Sequence, residues 1–168
     1  MAKKKFMWIL LSVFIATWLL SPVPQTMAET WKVKTFQHAT KAEGALIPDA
    51  EGHFVGLLVR EGPSVYNNEE WAWTKTVTIG DFTKGVGPFS FYTITTFQDG
   101  STIIGYAKGT SSGPTGQFTG EIIHGTGRFQ GIKGTSTSTS MKTFPPEKGE
   151  IVGKIIGEIT INFTLPPK

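Results

Sequence analysis

The stretch Ile155-Ile156-Gly157-Glu158-Ile159-Thr160-Ile161-Asn162-Phe163-Thr164-Leu165 decides the fold. Ile155, Ile159, Ile161, Phe163 and Leu165 fall on one parity; Glu158, Thr160, Asn162 and Thr164 fall on the other, and further back Ile151 joins the first set and Lys154 the second. A period of two marks a strand with one buried and one wet face. The segment from Glu70 to Ile79 repeats it, with Trp71, Trp73, Val77 and Ile79 opposite Thr74, Thr76 and Thr78. If the tryptophan side faces the lumen it lines a pocket, and if it faces outward the same tryptophans pack between subunits.

The same pattern extends outward through the chain. Twenty glycines punctuate short runs rich in Val, Ile, Thr, Phe, Tyr and Trp, and no stretch of helical length keeps a helical period. Eight strands are read, at residues 31–38, 53–61, 70–79, 88–98, 101–109, 116–123, 132–144 and 150–165. Asp99-Gly100 suggests a two-residue type I′ hairpin, because both residues tolerate positive φ. Gly113-Pro114-Thr115-Gly116 supplies another reversal, and residues 39–52 form a longer connection, a mouth loop or a mobile one. Eight meandering antiparallel strands suit an all-β, closed barrel in one domain at residues 29–168. A helix-rich enzyme fold is excluded.

Residues 1–28 have the layout of a secretory signal peptide. Lys3-Lys4-Lys5 precedes an apolar run from Phe6 to Leu20, then Ser21-Pro22-Val23-Pro24, with Thr26 and Ala28 at positions −3 and −1 of the expected cut. The run is shorter than the roughly 20 residues that span a bilayer, so no stable membrane span is expected after cleavage. Export places the protein in a periplasmic or extracellular compartment. All 13 acidic residues but only 13 of the 16 basic ones follow Ala28, so the mature chain is electrically balanced. The full chain's basic pI of about 9.1 belongs to the leader, and nucleic acid is not an expected partner.

The chain has no cysteine, which removes disulfides, thiolate metal sites and cysteine nucleophiles together. His38, His53 and His124 form no i,i+4 pair, so neither a metal site nor a cofactor is implied.

The segment Gly125-Thr126-Gly127-Arg128-Phe129-Gln130-Gly131-Ile132-Lys133-Gly134-Thr135 is not a dinucleotide fingerprint. Its third glycine comes one residue late and no amphipathic helix follows. Physically it is a structural turn. Gly125 and Gly127 allow positive φ, Phe129 plugs one barrel end, and Gly131 and Gly134 admit close backbone approach.

With Ile122-Ile123 leading into it, this segment resembles the G-T/A-G-x-F-x-G-x-x-G turn of the allene oxide cyclase-like barrel family, which includes the plant dirigent proteins. Gly52-His53-Phe54-Val55-Gly56-Leu57-Leu58 is similar to that family's second strand, and Phe97-Gln98-Asp99-Gly100-Ser101-Thr102-Ile103 to its central hairpin. The resemblance implies a barrel whose cavity shapes a substrate, and a possible homo-oligomer, a trimer in related barrels. The dirigent first-strand His-Asp pair has no match, since His38 is followed by Ala39.

Three classes of function are compatible with these residues. The first is an exported barrel that binds a small apolar or aromatic molecule in its lumen or mouth, lined by Trp71, Trp73, Phe91 and Tyr106. The second is a cyclase or isomerase in which Glu121 acts as acid or base. The third is a structural cell-envelope protein without a ligand.

Overall fold

The computed structural model describes residues 28–67, 69–148 and 153–167. The strands are β1 (Ala28–Leu46), β2 (His53–Tyr66), β3 (Glu70–Thr83), β4 (Val86–Phe97), β5 (Thr102–Ser112), β6 (Thr115–Gly125), β7 (Lys133–Thr143) and β8 (Ile155–Thr164), with a 3-10 turn at Gly127–Phe129. Each strand pairs antiparallel with the next, and β1 pairs with β8 from Ala28↔Thr164 to Gln37↔Ile155, closing the barrel. Closure leaves no sheet edge to be covered. Apart from Ala28, the expected leader lies outside the described residues, as does Ile151.

Two sequence expectations need correction. β1 does not end near His38 but runs to Leu46, its second half pairing with β2 from His38↔Glu61 to Leu46↔Phe54. The run 39–46 holds few β-branched residues, yet β2 offers Val55, Leu57, Leu58 and Val59 opposite it, and pairing overrides local propensity. The Asp99-Gly100 hairpin is also not a two-residue turn. Phe97 N–H donates to Ser101 O, Gly100 N–H donates to Phe97 O, and only Gly100 of the loop has positive φ. That is a three-residue loop, with Gly100 in the left-handed position. Asp99 instead accepts from the Ser101 N–H and hydroxyl, and the backbone bond above all holds its carboxyl below the usual range.

Side-chain alternation gives the barrel an inside and an outside. One end is closed by a floor of Val33, Tyr66, Phe97, Ile103, Phe129 and Phe163. Trp31 lies among them, its ring centroid 4.7 Å from Phe163, 5.4 Å from Tyr66 and 5.7 Å from Phe129, all edge-on, the arrangement aromatic quadrupoles favour. Phe129 is 2% exposed. The Gly127–Phe129 turn therefore does plug the barrel, as its sequence suggests. Gly127 holds φ +59°, whereas Gly125 is not left-handed and packs against the Phe129 carbonyl. Gly131 also has positive φ, and Gly134 lies against the β8 backbone at Asn162.

Candidate functional site

Above the floor lies a cavity of about 150 Å³. Among the described residues it opens toward the other end of the barrel, where Phe82, Ser111, Thr115 and Thr143 line it near the strand ends.

Its walls differ in chemistry. On β1 to β4 the inward parity carries hydroxyls, and these satisfy one another. Ser64 Oγ donates to Thr35 Oγ1 at 3.0 Å and lies 2.9 Å from Thr74 Oγ1, which is 3.2 Å from Thr95 Oγ1. Tyr66 adds its hydroxyl to Thr95 at 3.3 Å, and burial pushes that phenol up to about 12. One level higher, Gln37 Nε2 donates to Thr76 Oγ1 at 2.9 Å. Satisfied in this way, buried polar groups cost little.

The facing wall is apolar. Phe91, Ala107 and Phe118 form a second buried cluster against which Phe89, Met141 and Ile159 pack. Phe91 meets Phe118 edge-on at 4.9 Å and stacks with Phe89 at 5.9 Å. A molecule in the lumen would thus touch hydroxyls on one side and aromatic carbon on the other.

Arg60 stands out on the polar wall. It is 8% exposed, it lines the cavity, and its Nε is buried with no hydrogen-bond partner. Among the described residues no carboxylate pairs with it. Desolvation lowers the guanidinium to about 10, so it still carries its charge at neutral pH.

The residues expected to line the site divide. Phe91 is in the lumen. Trp71 and Trp73 are not: they are 52% and 50% exposed on the outer face of β3, while the inner face carries Thr74, Thr76 and Thr78. The alternation was right and its sidedness reversed, because the hydroxyls have one another as partners inside. Tyr106 and Glu121, paired across β5 and β6, border the cavity, but their side chains take the outward parity. The Tyr106 ring lies 4.8 Å from exposed Tyr92, with the Lys108 ammonium above it, and Glu121 is exposed. A cyclase or isomerase using Glu121 would have its acid or base on the wrong side of the wall. Arg60, Gln37 and the hydroxyl belt were missed, although the inward parity shared by Thr74, Thr76 and Thr78 was visible in the sequence.

At the mouth, His53 sits between two carboxylates, Nδ1 2.5 Å from Asp49 and Nε2 2.8 Å from Asp81. No group of three or more such side chains among the described residues is placed to hold a metal ion.

The fold and the cavity define a closed eight-stranded antiparallel barrel with one mouth and a two-faced lumen. A protein of unknown function from the DUF3224 family of Shewanella oneidensis MR-1 is similar in structure, with a TM-score of 0.53, 16% identity, and coverage of 85% of this chain and 100% of that one. Such low identity shows the shared fold alone. No family model and no curated protein matches the chain.

Proposed function

We propose that this is an exported barrel that binds one small apolar or aromatic molecule in its lumen. The observation that carries the reading is the one-ended cavity of about 150 Å³ with Phe89, Phe91 and Phe118 on one wall. Apolar cavities of this size take a benzene-sized guest. The resemblance to the allene oxide cyclase-like family supports the lumen as the working part. Phe91→Ala in the purified protein, compared with wild type in thermal shift against a panel of one-ring aromatics, tests it. The panel should raise the wild-type midpoint saturably; no shift with any member overturns the reading.

One observation favours an accompanying reading, that barrels associate with copies of themselves. Exposed Trp71, Trp73, Ile79, Tyr92 and Ile94 make an apolar outer band on β3 and β4, and its Lys75 is neutralised by Glu61 at 3.0 Å. Two copies could meet there without charge repulsion. Light scattering of wild type and Trp73→Lys tests this: equal masses overturn it.

A further inference from the structure

We propose that the lumen's ligand is a small aromatic monocarboxylate, its carboxylate on the Arg60 guanidinium and its ring against Phe91 and Phe118. This deepens the luminal-binding reading and rests on it.

The argument begins with an imbalance of charge. Buried charges are ordinarily paired, since leaving water costs several kcal/mol per ion even after relaxation. Arg60 is buried, yet among the described residues no carboxylate answers it and nothing hydrogen-bonds its Nε. Its polar neighbours are already committed, because Gln37 and Thr76 bond to each other and Ser64, Thr74 and Thr95 form their own chain. Glu121, the one acidic residue bordering the cavity among the described residues, is exposed on the outer side. Among those residues, what the site lacks is an anionic acceptor.

The other properties of the cavity narrow that anion. A guanidinium presents a planar fork of donors that matches a carboxylate in two parallel bonds. Among the described residues Arg60 is the only basic one lining the cavity, so one negative charge balances it and a dianionic phosphate would be left in excess. The volume of about 150 Å³ suits a single ring. The wall across from the hydroxyl belt is built of Phe89, Phe91, Phe118 and Met141. Head, size and body together describe a benzoate-like molecule.

Calorimetric titration of the purified protein with sodium benzoate, benzamide and sodium acetate tests the proposal. Benzamide keeps the shape and loses the charge; acetate keeps the charge and loses the ring. Benzoate should bind about tenfold or more tightly than benzamide, as a charge-assisted bond replaces a neutral one, and acetate should bind far more weakly than benzoate. Arg60→Met should abolish the preference for benzoate while leaving benzamide binding in place, and Arg60→Lys should retain part of it. Circular dichroism on each variant checks that it folds, and a melt of Arg60→Met alone should show no loss of stability, since an unpaired buried charge has been removed. Benzamide bound as tightly as benzoate overturns this inference and leaves luminal binding standing. Acetate matching benzoate also overturns it, because the ring would then contribute nothing. If neither aromatic binds, the luminal reading itself falls.

Discussion

Gln37 and Thr76 hydrogen-bond to each other twice, Nε2 to Oγ1 at 2.9 Å and Oγ1 to Oε1 at 3.2 Å, although β1 and β3 are not neighbours in the sheet. The bridge passes over β2, where Gly62 has no side chain to block it. A Cβ there would stand 1.9 Å from the Phe36 carbonyl oxygen and 3.0 Å from Gln37 Cα. This pairing commits the hydroxyl of Thr76, which lies opposite Arg60 on β3, to Gln37.

Gln37→Leu should lower stability by about 1 to 3 kcal/mol, because the Thr76 hydroxyl remains buried without its partner. Gly62→Ala should do at least as much damage, since β1 would have to move off β2. Urea unfolding of both variants measures the two losses, and a Gly62→Ala midpoint equal to wild type would show that β1 does not lean on β2 in solution.

Gly127→Val should cost more than Arg128→Ala. A β-branched residue at φ +59° is strained by roughly 1 to 3 kcal/mol, and its Cβ would also overlap Ser101 Oγ at 2.3 Å. Arg128 is not idle: it pairs with Glu70 and Asp99 and lies over Phe97 and Phe129 at 4.9 and 4.7 Å. These contacts are half-exposed, so its removal should cost at most about 1 kcal/mol. Thermal melts rank the two, and the reverse order would deny the turn its backbone requirement.

His53 should make the mouth more stable in mild acid. Hydrogen bonds donated by its ring to Asp49 first, and then to Asp81, raise its folded value above the usual 6.5. Stability from a raised histidine is fully present below its unfolded value and is lost as pH rises through the folded one. The melting-point gap between wild type and His53→Asn should therefore be widest near about pH 5.5 and shrink toward pH 8. A gap that grew with pH would mean the imidazole is held neutral.

Acrylamide should quench Trp71 and Trp73 readily and Trp31 poorly, because the first two lie on the outer wall and the third sits within the aromatic floor. Comparing wild type with the Trp71→Phe/Trp73→Phe double variant isolates the exposed component. Luminal ligands should leave that component unchanged; a ligand that quenched it would place the binding face outside.

Much of the barrel could be read from the chain because alternation is local. Ile155, Ile161 and Phe163 lie inside on β8 as their spacing implies, and Phe129 closes one end as its glycine-flanked turn implies. Sidedness was not legible on β3. Parity separates Trp73 from Thr74 without saying which is inside, and the usual preference for burying the apolar set failed because Thr74 and Thr76 find hydrogen-bond partners on β1, β2 and β4. Those partners lie 10 to 39 residues away in sequence, and only closure brings them together. Arg60 was silent for the same reason: in sequence it is one arginine beside Glu61, and its isolation emerges only once Glu61 turns outward to Lys75.

Ala28 faces Thr164 across the seam, so β1 begins and β8 ends beside the aromatic floor. The described chain thus enters and leaves its barrel at the same pole, and the mouth lies at the other. A protein immobilised at the described start of β1 or the end of β8 would present its cavity to the solution, upright on the support. Biosensor chips or affinity beads coupled at residue 29 or 167 therefore need no spacer designed around the entrance, whereas coupling through Lys84, beside the mouth near Gly52, would set the reagent at the doorway itself.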